Sequence, residues 1–400
     1  MRIVMPDNVR SIIATLNENG YEAYAVGGCV RDSIIHRVPG DWDITTNALP
    51  KDIKALFKRT IDTGIVHGTV TVMMGKEGYE ITTYRVDGEY CDGRHPSNVE
   101  FTASLFEDLK RRDFTINAMA YNDVDGMVDL FDGVKDLENG IIRCVGNPKD
   151  RFSEDALRML RAVRFAAQLG FEIEENTANA IKELAPTISK ISKERIHTEL
   201  GKILLSPNPD YIRYAGELGI TKTVFDAYDR LENKDILHRM LPVLPKELYY
   251  KYAALLMESN NQEAREIMKG LKLDNDTIDR TQYLVKYHQF QIPEDEISLR
   301  ILLSRIDVRP LRDIITFEKV FYQTMGDKAR HKALDALETM LDMVINRGDC
   351  FRIKDLAING KDLMEIGINP GKEMGDYLKH ALDLVIHNPQ LNTKEILLHL

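Results

Sequence analysis

The sequence predicts an α+β protein: a head of mixed strands and helices over roughly residues 1–140, then helices to residue 400. Three observations carry this. Up to about residue 140, short β-rich runs bounded by glycine alternate with short helical stretches. Beyond Arg151 the apolar spacing turns helical and stays so. The 400 residues also exceed what one simple core organises, so two to four domains are expected at roughly 100–200 residues each.

Taken in order, residues 6–19 carry helical apolar spacing and stop at Asn19-Gly20, a helix-ending pair. Tyr21–Val26 reads as a strand running into Gly27-Gly28, and a helix restarts near Val30. Asp43–Thr46 is strand-like, and Pro50–Lys58 is a helix opened by proline, whose fixed φ and missing N–H suit a first turn. Thr69–Met74 and Tyr79–Arg85 are β-rich, and residues 75–78 join them as a hairpin. Residues 86–98 are polar, hold Gly88, Gly93 and Pro96, and read as a mobile loop. Ser153–Leu169 is expected to be one helix, with Ser153 as its N-cap and Glu154 and Asp155 in its first turn. Residues 174–184 and 193–205 are further helices. From 206 to about 345 only helical periodicity appears, and 353–400 is helical again, broken at Gly360, Gly367, Pro370, Gly371 and Gly375. The expected division is a head (1–140), a helical neck (141–205), a helical body (206–345) and a helical tail (346–400).

Hydrophobic residues make up 44% and charged residues 29%, an ordinary globular composition. No apolar run approaches the ~20 residues of a membrane-spanning helix. The opening MRIVMPDNVR lacks the apolar core of a secretory signal. Cys29, Cys91, Cys144 and Cys350 form no CxxC pair, which argues against a zinc ribbon or disulfide framework and points to a reducing cytoplasm. A net charge of −10 speaks against a polyanion partner, but phosphates are met by local patches. Such patches exist at Lys110-Arg111-Arg112 and at Arg158, Arg161 and Arg164.

Three constellations carry chemistry. In the first, Gly27-Gly28-Cys29-Val30-Arg31-Asp32 precedes Asp41-Trp42-Asp43. Two glycines between strand and helix let backbone amides approach an anion at the positive end of the helix, and Arg31 in its first turn can donate to phosphate. Residues two apart on a strand share a face, so Asp41 and Asp43 converge their carboxylates. A pair of carboxylates prefers a hard cation such as Mg²⁺ to mutual repulsion, and two metals could bridge an attacking hydroxyl and a phosphate. Glu80 on the hairpin is a candidate third carboxylate, and Trp42, the sole tryptophan, is expected to report Mg²⁺ or nucleotide by its emission. In the second, Arg111-Arg112-Asp113-Phe114-Thr115-Ile116-Asn117-Ala118, Arg112 can hold phosphate, Asp113 can accept from hydroxyls and Asn117 can do both. The third runs from Glu154 to Arg164. On a helical wheel centred on Asp155, Arg158 falls at about −60° and Arg161 at about −120°, with Ala156, Met159, Leu160, Val163 and Ala167 clustered on the other side as the core face and Arg164 farthest away. Without its context, this third segment also fits a salt-bridged amphipathic helix with an Asp155–Arg158 pair.

GGCVRD followed by GDWDITT resembles the signature of the polymerase-β-like nucleotidyltransferase superfamily, in its bacterial class II branch of CCA-adding tRNA nucleotidyltransferases and bacterial poly(A) polymerases. The remaining motifs follow in that family's order over most of the chain. The resemblance implies a polymerase-β-like head followed by helical neck, body and tail. It implies Mg²⁺ on Asp41 and Asp43, with Glu80 assisting, and a triphosphate cradled by Gly28, Arg31 and Arg112. It assigns Asp113 and Asn117 to the ribose and phosphates, and Asp155 and Arg158 to the base, with Arg161 and Arg164 in support. Cytosine and adenine each offer an exocyclic amine beside an unprotonated ring nitrogen, to which Asp155 can accept and Arg158 donate. Guanine and uracil present the reverse, and leaving both side chains unpaired in a closed site costs several kcal/mol on the order of magnitude. The segment Ser192–Leu200 resembles one that supports the base-reading helix, and His197 reads as a structural partner.

The expected function is template-independent addition of the 3′-terminal CCA of tRNA from CTP and ATP, with tRNA as the macromolecular partner. Gly64–Val72 resembles the TGxxHGTVTV segment of CCA-adding enzymes, and the Arg-rich segment typical of poly(A) polymerases is absent there. Leu356–Gly360 and Gly367–Gly371 resemble a tail that grips the tRNA elbow. Addition of A alone or CC alone, poly(A) synthesis, and a non-catalytic RNA-binding module remain alternatives.

Overall fold

The computed structural model describes residues 2–87 and 99–400. The loop expected at 86–98 falls largely outside these residues, as does Cys91. The chain forms two compact units, Met1–Arg230 with Gly270–Lys272, and Leu231–Lys269 with Leu273–Leu400.

The first unit opens with α1 (Asp7–Glu18), which buries Val9, Ile12, Ile13 and Leu16 at helical spacing. It ends at Asn19 and Gly20, where φ is +86°. Next come β1 (Ala23–Val26), α2 (Gly28–Ile34), β2 (Ile44–Thr46), α3 (Pro50–Leu56) and β3 (Thr60–Gly64). The hairpin of β4 (Thr69–Met74) and β5 (Glu77–Thr83) follows, then β6 (Arg85–Asp87), β7 (Val99–Phe101), α4 (Leu105–Lys110), β8 (Met119–Asn122), β9 (Gly126–Asp129) and α5 (Gly133–Asn139). Seven strands make one mixed sheet in the order β3-β4-β5-β2-β1-β8-β9. Strand β1 is antiparallel to both β2 and β8, while β2 is parallel to β5 with Ile44 beside Ile81. Strand β1 is buried along its length, as a central strand should be. Two pieces escape the sequence pattern. Strand β3 is mostly exposed, so no apolar alternation marks it, and β8–β9 are too short to register as a periodic run.

The helical part of this unit differs from expectation at the point that matters most. Ser153–Leu169 is two helices, α6 (Pro148–Glu154) and α7 (Leu157–Leu169), with Asp155 between them in an extended conformation (φ −143°, ψ 103°). Asn147, not Ser153, caps α6, accepting from the Lys149 amide. Asp155 Oδ1 accepts from the Leu157 amide at 3.0 Å, satisfying a donor at the new helix start. A helical wheel through Asp155 therefore does not apply. The core face of α7 is as expected: Met159, Leu160, Val163 and Ala167 are fully buried, and Gly170 (φ +75°) ends it. Two further helices, α8 (Glu175–Leu184) and α9 (Lys193–Leu204), follow, with α9 packed along α7, and the short helices Ile212–Glu217, Thr221–Val224 and Ala227–Arg230 close this stretch of the unit.

The second unit is helical among the described residues. Its longest helices are Val308–Met325 and Lys328–Arg347, each ended by a glycine at positive φ. Capping boxes open Glu296–Leu303 and Gly360–Glu365. Arg300 and Asp349 form a buried ion pair, and Arg300 also donates to the Ile386 carbonyl, so its charge is matched and its donors used. Leu356, Ile358, Leu363, Ala381, Val385 and Leu397 form a core in the last forty or so residues.

Candidate active site

The sheet register builds the acidic half of the site. Ile44 of β2 pairs with Ile81 of β5, so the residues just before them, Asp43 at the entry to β2 and Glu80 within β5, are brought near one another. Asp41 and Asp43 lie in the segment leading into β2, not on the strand itself. Desolvation raises the Asp43 pKa, the charge of Asp41 raises it further, Arg112 offsets part of this, and Glu80 adds to it. Like charges held this near one another, in reach of an arginine, make hard-oxygen ligands for a divalent cation. Among the described residues no three His, Cys, Asp or Glu side chains close a metal site by themselves. Mg²⁺ takes one or two carboxylates and completes its shell with water and substrate phosphate. Asp41 and Asp43 fit such an ion.

The basic half comes from four directions. Strand β1 delivers Gly27 and Gly28. Gly27 has φ +80°, which an L side chain rarely adopts, and a Cβ there would stand 3.2 Å from Arg112 Nη1, close enough that the guanidinium would have to give way. A Cβ on Gly28 would meet only Arg31 Nη2, at 3.7 Å. Arg31 on α2 donates to Asn117 Oδ1 at 2.6 Å, and Asn117 Nδ2 donates to Asp113 Oδ1 at 3.1 Å. Asp113 Oδ2 takes both Nε and Nη2 of Arg161, at 2.8 and 2.5 Å. Desolvation would push Asp113 up, but Arg161, with Asn117, brings it down to about 2. Arg111 and Arg112 are both anchored on Asp108, fully buried at the end of α4. Thr45 also donates to Asp108, at 3.1 Å.

Helices α7 and α9 supply the third wall. Arg158 donates to Glu154 Oε2 at 2.8 Å and to the Arg111 carbonyl at 3.2 Å, and the Asp155–Arg158 pair considered from sequence is not formed. Asp155 is held instead by Arg195 of α9, with Nη2 to Oδ2 at 2.6 Å. Arg164 pairs with buried Glu199, 3.1 Å away. Desolvation, then the neighbouring Arg161, brings Arg164 down to about 10, so it keeps its charge at neutral pH. The guanidinium groups of Arg31, Arg161 and Arg164 stand over the Phe165 ring at 5.2, 5.4 and 4.1 Å from its centroid. His197 Nδ1 lies 2.7 Å from the Leu271 carbonyl, a structural contact.

These walls enclose a cavity of about 560 Å³. It gathers Gly28, Arg31, Asp41, Asp43, Arg112, Asp113, Asn117, Asp155, Arg158, Arg161 and Arg164. Glu80 is not in its lining but joins Asp41 and Asp43 in a neighbouring cavity. Sequence reasoning missed Arg195 and Phe165 as lining residues and Asp108 as an anchor. Asp108 had a legible signal, since it stands three and four residues before Arg111 and Arg112 near a helix end. Arg195 lies 40 residues from Asp155, inside the Ser192–Leu200 segment whose resemblance implied support for that helix, but nothing in the sequence showed that it pairs with Asp155.

Family models match three stretches of the chain. A family model described as the Poly A polymerase head domain matches residues 23–143, and one for the RNA- and SrmB-binding site of polymerase A matches 170–232. A third, tRNA nucleotidyltransferase domain 2, matches 246–400. The CCA-adding enzyme of Enterococcus faecalis is 38% identical over 97% of this chain and 93% of its own length. The chain belongs to the CCA-adding enzyme family. That makes it a nucleotidyltransferase with a polymerase head and helical domains. The Bacillus stearothermophilus CCA-adding enzyme, solved in complex with CTP, superposes with a TM-score of 0.76 at 32% identity, over 98% of this chain and 96% of that one. The Thermotoga maritima CCA-adding enzyme, solved with tRNA, shares the fold at a TM-score of 0.65 and 21% identity, with 99% and 98% covered. No helix among the described residues is long and apolar enough to cross a membrane.

Proposed function

We propose that this protein adds or repairs the 3′-terminal CCA of tRNA from CTP and ATP, releasing pyrophosphate, with the cavity of Asp41, Asp43 and the arginines as its active site. The observation that carries the reading is the joining of two carboxylates, a phosphate-suited arginine wall and a clamped Asp155 in one cavity. Its relatives' names and their complexes with CTP and with tRNA support it.

Gly27, Gly28, Arg31 and Arg112 receive the triphosphate, Gly27 leaving room for the Arg112 guanidinium. Asp41 and Asp43 would hold Mg²⁺, which when bound would neutralise phosphate charge and lower the pKa of the tRNA 3′-hydroxyl. Glu80 stands by as a further carboxylate in the neighbouring cavity that Asp41 and Asp43 also line. Asp113 spends its oxygens on Arg161, Asn117 and the Phe114 amide, so its part is to position, and any ribose hydroxyl must share these bonds. Asp155, fixed by Arg195 and by the Leu157 amide, presents a carboxylate for an exocyclic amine; Arg158, fixed by Glu154 and the Arg111 carbonyl, presents donors for a ring nitrogen. With both partners pre-set by the fold, the protein itself acts as template. The head-neck-body-tail division at residues 140, 205 and 345 belongs to the same proposal, with the tail on the tRNA elbow. So does a cytoplasmic location, in keeping with Cys29, Cys144 and Cys350 as free buried thiols.

Incubation with tRNA trimmed of its CCA, Mg²⁺ and each labelled nucleotide tests the reading. Incorporation of C, C and A, ending there, is expected. Products of CC only, A only or long A tails would point to the sister activities, and no product from a folded sample would leave an RNA-binding module.

A further inference from the structure

Asp41 and Asp43 line two cavities, and only one is walled by arginines. The second measures about 660 Å³ and also takes in Pro6, Pro39, Trp42, Glu77, Tyr79 and Glu80. Every charged residue of its lining is acidic. Trp42 belongs to this cavity and not to the arginine one. It is half-buried, which leaves part of the indole available. Tyr79 is pinned by its hydroxyl, which donates to Glu77 Oε2 at 2.7 Å and accepts from Asn8 Nδ2 at 3.2 Å.

Nucleotide transfer brings two different groups to one pair of carboxylates. One carries a triphosphate and needs cations. The other presents a 3′-hydroxyl on a terminal nucleoside. A wall of four carboxylates repels the first and leaves room for the second. The natural partner of an indole beside such a wall is the π face of a base, which any base offers.

We propose that Trp42 is the stacking platform for the 3′-terminal base of the tRNA primer, and that the Trp42–Tyr79 cavity holds that nucleoside with its hydroxyl toward Asp41 and Asp43. This rests on the function proposed above. It accounts for the separation of the two cavities by the carboxylates: incoming nucleotide on the arginine side, acceptor on the tryptophan side. It also revises the expectation that nucleotide by itself perturbs the tryptophan.

Trp42 is the only tryptophan, so the emission of the full-length protein reports on this position alone. In Mg²⁺, tRNA trimmed of its CCA should quench it. CTP without tRNA, and tRNA cut back to the last pair of its acceptor helix, should leave it unchanged. In steady-state extension, Trp42→Ala should raise the KM for trimmed tRNA about tenfold, the usual scale for a lost stacking partner. The KM for CTP should stay within about twofold, and Trp42→Phe should recover most of the loss. Quenching by CTP but not by trimmed tRNA, or a Trp42→Ala variant with an unchanged primer KM, would overturn the proposal while leaving the enzyme reading intact. A wild-type protein that extends no tRNA would remove both.

Discussion

Asp155 is aimed by Arg195 from another helix, and Arg158 by Glu154 and the Arg111 carbonyl, so each half of the pair proposed to read the base is set independently. The same reliance on single residues appears at the turn after β1. Gly27, with φ +80° and a Cβ position 3.2 Å from Arg112 Nη1, is strained by any side chain, whereas Gly28 has ordinary room. Gly27→Ala is expected to cost about 1–3 kcal/mol of stability and to raise the KM for CTP by displacing Arg112. Gly28→Ala should change both much less. Denaturant unfolding and initial rates on the two variants check the contrast, and equal damage from both would contradict the geometry. The sequence signature makes Asp41, Asp43, Arg31, Arg112, Asp113 and Asn117 legible because they sit in short, dense motifs. The pairing of Arg195 with Asp155, the place of Phe165 and the specific need at Gly27 were not legible, because each depends on a partner far away in the chain or on a backbone angle.

At the scale of elements, the interruption between α6 and α7 is the feature periodicity could not show. Glu154-Asp155-Ala156 has no proline or glycine to mark a break, and apolar spacing continues on both sides. The break lets Asp155 turn its carboxylate to the cavity and cap α7 at once. Helix α7 is joined to the turn before β8 through Arg161 and Asp113. Asp113 is held at about 2 in the folded protein against 3.8 as the ordinary value. A depressed carboxylate pKa contributes stability that is present above the unfolded value and fades as pH falls through the folded one. The pair should therefore contribute about 2 kcal/mol at pH 7, lost progressively between roughly pH 5 and 2. Asp113→Asn should be less stable than wild type at pH 7, with the gap closing at the acid end. A gap independent of pH in denaturant titrations would contradict this coupling.

Across the whole molecule, a net charge of −10 hides a cavity with seven lining arginines, because they come from separate segments and are partly matched by buried acids. The change from a mixed head to helices was legible as a change of period, and the sheet order was not, since it depends on pairings between strands far apart in sequence. The two compact units each have their own core. Calorimetry is expected to show more than one transition, as multi-domain chains commonly do. CTP with Mg²⁺ at about 100 times its Kd should raise the transition of the unit bearing the cavity by roughly 5–10 °C. A shift confined to the other transition would misplace the nucleotide site.

The claim on which the rest depends is that protein side chains choose the nucleotide. It is tested most directly by kcat/KM for CTP against UTP, on trimmed tRNA, in wild type and Asp155→Ala. The wild type should strongly prefer CTP, and the variant should still transfer while losing at least about tenfold of that preference, the effect of removing one buried acceptor. A variant with the wild-type preference would show that Asp155 does not read the base.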